Sequence, residues 1–484
     1  MKRTLSLLVL ASWIAMVALL IRKQAPAPSR DVMGLPPAAS GEGDEWFGVY
    51  HDGEKVGHAH RVTASTADGY AFYEDSVLAL AMLGVAQTLR TSLTAETDTS
   101  FALRRFRFTL ISPATVFSAT GTSDGERLAV TYGDQGERAQ LSIPLTGPIY
   151  LPSTLRPRVL AGDLTSGTQY TVPVFSPLTL RNEPMTVTVE GRETVAGPNG
   201  PVETVRLAEE HQGVRARAWI ASDGAVLREE GVLGFTLERE PAGRALAEAG
   251  ARAPVDLTAA SRIPLSGFID DPRRAGHLVL RLRGAAAGSI PDDPPRQRVT
   301  ADVVEITREA IPAVVPFPAA HGGMASLDAY TAAAPLIESD DPTVVAEARA
   351  IVGAAADATS AARRLVAWVA AHVDKTPSVT VPSARAVLAA RRGDCNEHAV
   401  LLTALARAAG IPVRVVAGAV YAQDGFYYHA WTELWLGRWV SADSVFDQMP
   451  ADATHVKLIE GGPEQHIALA GLIGKLELTL EEAR

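Results

Sequence analysis

One thiol is available to this chain of 484 residues: Cys395, in the stretch GDCNEHAVLLTALARAAGIP. Asp394 and Glu397 have the spacing of a capping box, and apolar residues recur three and four positions apart after them. This pattern predicts a helix that begins at Cys395. Unpaired N–H groups and the helix dipole at such an end favour a thiolate over a thiol. The spacing therefore indicates a cysteine nucleophile, with a buried small hydrophobic residue as the alternative.

A thiolate nucleophile also requires a base and a group that orients the base. His429 lies in FYYHAWTELWL, which is typical of a strand, and RWVSADS follows as the next strand. If residues 436–438 form a three-residue loop, Trp435 pairs with Trp439. Asp443 then lies on the face of His429 and diagonal to it, within side-chain reach. A two-residue loop would turn Asp443 to the opposite face.

Other polar and aromatic side chains compete with these residues or surround them. His398 lies one helical turn after Cys395 and is a rival base. Glu433 shares the strand face of His429, so a supporting contact to the base and a purely structural role are both open. The three tryptophans of these strands are interpreted as core or pocket wall: Trp431, Trp435 and Trp439.

Two histidines in the first part of the chain, His58 and His60, lie two positions apart on a predicted strand, so their rings share a face. Two ligands on one face are the minimum for a metal site. No third ligand is near them in the sequence, so an ordinary exposed strand is favoured. The sequence also lacks HExxH, a Walker loop and a strand-borne GxGxxG. It therefore predicts neither a metal nor a cofactor.

Four motifs, GDCNEHA, LLTALARAAGIPVR, HAWTELW and WVSADS, together resemble the core of bacterial transglutaminase-like proteins from Arg392 to about Phe446. Cysteine, histidine and aspartate occur in the order of that family, each inside its own local pattern. The resemblance implies an α+β papain-like core. In that core Cys395 would be the nucleophile, His429 the base and Asp443 the carboxylate that orients the base.

The resemblance also implies a reaction. Sulfur would attack an amide carbonyl, a helix-terminal N–H would stabilise the oxyanion, and water or an amine would resolve the thioester. Because the family carries its base on a strand, His398 is interpreted as structural. Asn396 follows the nucleophile where animal cross-linking transglutaminases carry tryptophan, and their calcium sites have no counterpart that we can place in this sequence. Hydrolysis and transamidation both stay open.

The elements before this core begin with Met1–Lys23, an apolar run of about 18 residues between cations, which is long enough to span a bilayer as a helix. We interpret it as an uncleaved signal anchor that leaves the bulk of the chain in the periplasm or outside the cell. A cleaved signal peptide is the alternative, although Pro28 follows the best cleavage site. Residues 24–44 are rich in Pro, Ala, Ser and Gly, as a flexible linker would be.

Residues 45–248 read as short alternating strands separated by four Asp-Gly pairs, which suit tight hairpin turns. This pattern predicts a meandering antiparallel sheet or a partly open barrel. Residues 249–318 contain further strands and form either a small separate domain or the start of the next one. Helical spacing then dominates in residues 319–484, the predicted transglutaminase-like domain. The predicted fold class is α+β: this core, preceded by antiparallel β-rich domains and one N-terminal transmembrane helix.

The formal charge of −10, with no long run of Lys or Arg, makes nucleic acid an unfavourable partner. Two functional hypotheses follow. The first is a membrane-anchored cysteine acyl transferase or amidohydrolase that acts on a peptide or protein substrate in the cell envelope. The second is an envelope-organising binding protein whose cysteine core is an inactive scaffold. Neither hypothesis specifies an oligomeric state.

Overall fold

The computed structural model describes residues 30–31, 42–134, 138–211, 213–247, 254–284, 288–312, 315, 325–377, 380–381, 383–462, 469, 472 and 474–484. The predicted anchor Met1–Lys23 lies outside these residues. Within them, every helix is too short or too polar to cross a bilayer.

The first half of the described chain folds into one large sheet in which consecutive strands are mostly antiparallel neighbours. Its strands are β1 (Arg30–Asp31), β2 (Gly43–His51), β3 (Glu54–Thr66), β4 (Gly69–Met82), β5 (Val85–Asp98), β6 (Leu103–Ile111), β7 (Val116–Ser123), β8 (Arg127–Gly133), β9 (Arg138–Pro144), β10 (Gln169–Ser176), β11 (Arg181–Gly197), β12 (Gly200–His211), β13 (Val214–Ala221), β14 (Val226–Glu230), β15 (Phe235–Arg239) and β16 (Val255–Asp256). The order is β1-β10-β11-β12-β13-β14-β15-β2-β3-β4-β5-β6-β7-β8-β9, with β16 beside β4.

Alternation along these strands separates the core from solvent. In β8, for example, Leu128, Val130 and Tyr132 are buried while the residues between them are at least partly exposed. Asp52 and Gly53 both adopt positive φ, at 48° and 79°, where they join β2 to β3. That geometry is the one for which Asp-Gly is favoured. Helix α1 (Pro152–Leu160) packs into the same core through Leu155 and Val159.

The second half of the described chain is built on a nine-stranded sheet. Its strands are β17 (Ile263–Ser266), β18 (His277–Arg283), β19 (Gln297–Thr300), β20 (Val303–Thr307), β23 (Val413–Ala422), β24 (Gly425–Trp435), β25 (Trp439–Ala442), β26 (His455–Glu460) and β27 (Glu477–Ala483). The order is β19-β20-β18-β27-β17-β24-β23-β26, with β25 on β24. A separate pair is formed by β21 (Asp374–Lys375) and β22 (Arg392–Gly393). Apart from β16, the strands of residues 249–318 thus belong to this second sheet.

Helix α7 (Cys395–Ala408) packs on the second sheet, and three earlier helices pack against α7: α4 (Pro342–Val352), α5 (Ala358–His372) and α6 (Ala384–Ala390). The short helices α2 (Ala242–Ala245) and α3 (Leu257–Ala260) contact strands of the first sheet. Helix α7 is central: residues 397–406 are buried, and the helix contacts α4, α5, α6, β23 and β24. Aspartate caps begin the two preceding long helices, Asp341 on α4 and Asp357 on α5. The α+β character predicted for the carboxyl-terminal region is therefore present, within a chain that is otherwise dominated by strands.

Candidate active site

Cys395 is the first residue of α7, as its sequence predicts. The Asp394 side chain accepts a hydrogen bond from the Asn396 N–H at 2.8 Å, and Glu397 Oε2 accepts one from the Asp394 N–H at 2.8 Å. These reciprocal bonds complete the capping box and satisfy two backbone donors at the helix start. Cys395 as a whole residue is half-buried.

Cys395 lies against a part of β24 where one edge of the strand pairs with no other described strand. Strand β17 covers this edge at Gly425 and Phe426, and β25 covers it again from Thr432 onward. The backbone N–H of Ala430, between these two stretches, faces the thiol of Cys395 and acts to lower its pKa. The start of α7 therefore docks in a gap of the sheet edge, one residue away from His429.

The loop after β24 has three residues, so the predicted register is confirmed. Trp435 pairs with Trp439, and the Leu436 N–H donates to the Arg438 carbonyl at 2.8 Å. Continuing this register places Asp443 on the face of His429. His429 Nε2 lies 2.7 Å from Asp443 Oδ2, and both side chains are buried.

The carboxylate of Asp443 is also held by its own turn. Its Oδ1 accepts hydrogen bonds from the N–H groups of Val445, at 2.7 Å, and Phe446, at 3.3 Å. Burial opposes ionisation of Asp443, but the charges and hydrogen bonds of His429 and His455 hold its pKa well below the usual range. In the described structure no hydrogen bond joins the sulfur of Cys395 to the imidazole of His429. The structure thus brings histidine and aspartate into contact, while the catalytic roles of all three residues stay a prediction.

A second imidazole, that of His455, contacts the same carboxylate, and no sequence motif indicated it. His455 Nε2 lies 2.8 Å from Asp443 Oδ2, and its Nδ1 faces the Asp452 carbonyl oxygen at 3.2 Å and Oδ1 at 3.3 Å. His455 opens the run HVKLIE, which is recognisable as a strand. Its neighbours could not be read from the sequence because β26 pairs with β23 rather than with β25, the strand before it.

A glycine permits this arrangement. Gly418 of β23 pairs with His429 on one side and with Lys457 on the other. A Cβ atom at residue 418 would lie 1.9 Å from the Val456 carbonyl oxygen, so any larger residue would push β26 away. Close approach of β26 to β23 is what allows His455 to reach the carboxylate shared with His429.

Charged side chains fasten the segment that carries Asp443. Arg296, itself buried, donates to Ser441 Oγ at 2.9 Å and to the carbonyl oxygens of Ala451 and Asp452 at 3.2 and 2.7 Å. Burial opposes ionisation of Asp452, but His455 and Arg273 lower its pKa to about 2. These contacts join residues 441–452 to the strands that precede α4 along the chain.

The packed site shifts the pKa of the thiol in the direction opposite to that expected from the helix start. Burial raises the pKa of Cys395 well above its ordinary value, and the carboxyl of Asp394 raises it further. The backbone N–H of Ala430 acts to lower it. The helix terminus alone favours a thiolate, but desolvation and the adjacent carboxyl outweigh it in the folded chain.

Two side chains considered as partners of the triad bind elsewhere. His398 Nδ1 donates to the Asp394 carbonyl oxygen at 2.7 Å, one turn back on its own helix, and burial lowers its pKa. Glu433 accepts from Arg414 Nε at 2.6 Å and from Lys457 Nζ at 2.9 Å. Both are therefore engaged in holding the helix start and the sheet together.

Three side chains of the site are close enough together to bind a metal ion, but they already form hydrogen bonds with one another. One ligand atom from each of His429, Asp443 and His455 lies within 4.8 Å of the others. Both Nε2 atoms already contact the same oxygen at 2.7 and 2.8 Å, which are hydrogen-bond lengths. Of the earlier histidines, His60 lies 2.8 Å from Asp44 and stacks on Trp46.

A groove runs beside the site between α5 and the turn after Asp443. It has a volume of about 310 Å³ and is lined by Ala367, Ala370, Ala371, Lys375, Val445, Phe446 and Asp447. The Phe446 ring packs against His429 with ring centroids 5.4 Å apart. Lys375 pairs along the backbone with Gly393, two residues before Cys395. The groove is thus adjacent both to the histidine and to the start of α7.

Comparison with known proteins identifies this region. Residues 346–444 match the model of the Transglutaminase-like superfamily, so the chain contains a transglutaminase-like domain. The matched residues include Cys395, His429 and Asp443. No curated protein matches the chain in sequence.

Three solved structures are similar over part of the chain. A protein from Cytophaga hutchinsonii, provisionally described as a cysteine protease, is 15% identical over 42% of this chain and 83% of its own, with a TM-score of 0.32. A beta-barrel-like protein of domain of unknown function DUF1849 from Brucella abortus is 12% identical over 41% and 94%, with a TM-score of 0.33. The periplasmic domain of TgpA from Pseudomonas aeruginosa, bound to ethylmercury, is 17% identical over 37% and 87%, with a TM-score of 0.24. With TM-scores this low, none of them bears on the chemistry of the site.

Proposed function

We propose that the transglutaminase-like domain is a cysteine acyl transferase or amidohydrolase that forms a thioester on Cys395 from a peptide or protein amide. The observation that carries this proposal is the contact between His429 and Asp443, at 2.7 Å, on a strand whose next residue, Ala430, faces the thiol of Cys395. Nucleophile, base and orienting carboxylate are the minimum set for this chemistry.

The tautomer of His429 determines which ring nitrogen can accept the proton of the thiol. Because Nε2 donates to Asp443, Nδ1 is the nitrogen left to accept the proton of the thiol. Sulfur then attacks the carbonyl carbon, and the N–H of Cys395 at the helix start stabilises the oxyanion. The C–N bond breaks as His429 returns its proton to the leaving amine or ammonia. Water yields hydrolysis and a second amine yields an amide exchange.

The groove beside Phe446 is where we place the side chain of the acyl substrate. Its floor is three alanines of α5, and Lys375 and Asp447 provide one charge of each sign. A groove of about 310 Å³ suits one amino-acid side chain rather than a large ligand. This geometry favours an extended peptide that passes between α5 and the turn at residues 445–447.

Filling this groove is expected to block peptide turnover but leave the thiol accessible to small reagents. Ala370→Trp should lower turnover of a peptide substrate at least tenfold, while the alkylation rate of Cys395 by iodoacetamide changes less than about twofold. Ala354→Trp, at an exposed alanine outside the groove, is the matched control. Equal peptide turnover in the two variants would place the substrate elsewhere.

We also propose an envelope location, with the chain tethered by Met1–Lys23 and its substrates on the same side of the membrane. The apolar run between cations and the Pro-rich stretch after it support this location. The first sheet would then bind or position the peptide or protein substrate.

A second candidate function, a binding protein with an inactive scaffold, is favoured by one observation. Burial raises the pKa of Cys395 and so disfavours the thiolate that a nucleophile requires. A protonated thiol without a hydrogen bond to the imidazole is what an inactive descendant would also have. The experiment must therefore detect the covalent intermediate itself.

The test is mass spectrometry of the full chain after incubation with peptides from the cell envelope. The wild type is expected to carry an acyl group on the tryptic peptide that contains Cys395. Cys395→Ala should carry none, and His429→Ala should form the adduct at least a hundredfold more slowly because the base is missing. If no adduct forms on the wild type and iodoacetamide labels wild type and His429→Ala at the same rate, the scaffold is correct and the enzymatic proposal fails.

A further inference from the structure

Both ring nitrogens of His455 face hydrogen-bond acceptors. Nε2 points to the carboxylate of Asp443 at 2.8 Å, and Nδ1 points to the carbonyl and carboxylate oxygens of Asp452 at 3.2 and 3.3 Å. A neutral imidazole has one nitrogen without a proton, whose lone pair would then face an oxygen lone pair. The ring is 0% exposed, so water cannot relieve that repulsion.

The charges around His455 are arranged in a short chain. Arg273 Nη1 lies 3.0 Å from Asp452 Oδ2, so the charge of Asp452 is shared between Arg273 and His455. Asp443 lies between the two imidazoles of His429 and His455. The aromatic rings of Trp431 and Phe446 cover His455 and bring no charge of their own. A proton on each nitrogen of His455 makes this chain electrically complementary.

This arrangement changes what Asp443 offers to His429. In a simple triad the carboxylate is free to stabilise the imidazolium that forms when the base takes a proton. Here one oxygen, Oδ2, is bonded to both imidazoles. The rings of His429 and His455 have centroids 5.6 Å apart, so a second positive charge on His429 would be repelled at short range.

We infer that His455 is a positioning residue that remains doubly protonated and draws the charge of Asp443 away from His429, so that Asp443 stabilises an imidazolium at His429 less than an unshared carboxylate would. This inference rests on the proposed function, in which His429 is the base. A thiolate–imidazolium pair would then form less readily in the free site, and the thiol would react more slowly with alkylating and oxidising reagents.

The first experiment measures the rate of Cys395 alkylation by iodoacetamide from pH 5 to pH 10. His455→Gln keeps an N–H donor near Asp443 but removes the charge. The variant is expected to alkylate about tenfold faster than the wild type at pH 7, because a freed Asp443 stabilises the imidazolium partner of a thiolate. Its pH profile should shift to lower pH by about one unit. A purely structural role for His455 would lower stability but leave the profile in place, and an unchanged profile would overturn the inference.

A matched control distinguishes the loss of a positive charge next to Asp443 from the loss of any buried histidine near Cys395. His398 is also buried near Cys395, but it is bonded to the Asp394 carbonyl and not to Asp443. Burial lowers its pKa, so His398→Gln replaces one neutral group with another and should leave the alkylation profile within about twofold. A shift in His398→Gln as large as that in His455→Gln would count against a specific effect of the shared carboxylate.

The second experiment observes the protons directly. In protein labelled with ¹⁵N at histidine, both ring nitrogens of His455 should show N–H signals at pH 7.5, and the signals should disappear in His455→Gln. One nitrogen without a proton at this pH would refute the inference, even if the variant is too unstable for alkylation. Neither readout requires turnover, so failure here is distinguishable from failure of the acyl adduct to form on Cys395.

Discussion

Replacing Asp443 with asparagine is expected to lower Cys395-dependent turnover by about 10⁴-fold, although the shape of the side chain is retained. The amide NH₂ would face His429 Nε2, which then has to accept a hydrogen bond instead of donating one. The proton moves to Nδ1, and the nitrogen that should accept the thiol proton is blocked. The measurement is the rate of acyl adduct formation and of product release in the purified full chain.

Asp340→Asn is the matched control for this variant, because residue 340 is an exposed aspartate that does not line the groove. Its turnover should stay within about threefold of the wild type. If Asp443→Asn retained more than a tenth of wild-type turnover, Asp443 would not be the group that orients the base.

Asp443→Asn should also change how the free energy of unfolding depends on pH. The two imidazole partners of Asp443 depress its pKa. Its contribution to folding stability is therefore present above the unfolded carboxyl pKa near 4 and is lost as pH falls toward the much lower folded pKa. The pKa of His455 is raised above 6.5, because hydrogen bonds and charges of Asp443 and Asp452 overcome burial. Its contribution is complete below that value and is lost as pH rises through the folded pKa. The difference in unfolding free energy between wild type and Asp443→Asn should therefore be largest between about pH 4.5 and 6.5.

Removal of Glu433 is expected to destabilise the second sheet by about 3 to 5 kcal/mol. Glu433 is 2% exposed and accepts from Arg414 and Lys457, which are themselves largely buried. In Glu433→Ala these two cations keep only Asp293 and Glu460, which are more exposed, as partners. The measurement is hydrogen exchange of the β23 and β24 amides under increasing guanidinium, which reports on this sheet rather than on the first one.

Glu305→Ala is the matched control for Glu433→Ala. Glu305 lies on β20 of the same sheet and makes only a distant contact, 3.9 Å from His277, with half of its side chain exposed. A surface pair of this kind contributes little, so the exchange profile should hardly change. Comparable losses in the two variants would mean that the buried network around Glu433 does not carry the stability we assign to it.

Local sequence patterns correctly predicted the features whose geometry depends on only a few neighbouring residues. The Asp394 and Glu397 capping box and the helical spacing after it located the start of α7 at Cys395, because a helix terminus is satisfied by residues within one turn. Loop parity between Trp435 and Trp439 located Asp443 on the face of His429, because side chains alternate strictly along a strand. The hairpin at Asp52 and Gly53 follows from positive φ that few other residue pairs tolerate.

Contacts between elements distant in sequence could not be predicted in the same way. His455 reaches Asp443 because β26 pairs with β23, and no local pattern states which strand a new strand will join. Arg273 and Arg296 belong to residues 249–318, which the sequence assigned either to a small separate domain or to the start of the next one. The second sheet brings both side chains to the site. The pKa of Cys395 also depends on burial and on the Asp394 carboxyl, which are properties of the packed site and not of the local sequence.

For this protein the sequence by itself determined that Cys395 begins a helix, which strand carries His429 and the register that presents Asp443, since each depends on backbone geometry over a few residues. Only the tertiary structure decided that the carboxylate is shared with His455, that burial raises the pKa of the thiol and that a groove borders Phe446. Each of these depends on which surfaces pack together and exclude water, and the free energy of that exclusion depends on the whole fold.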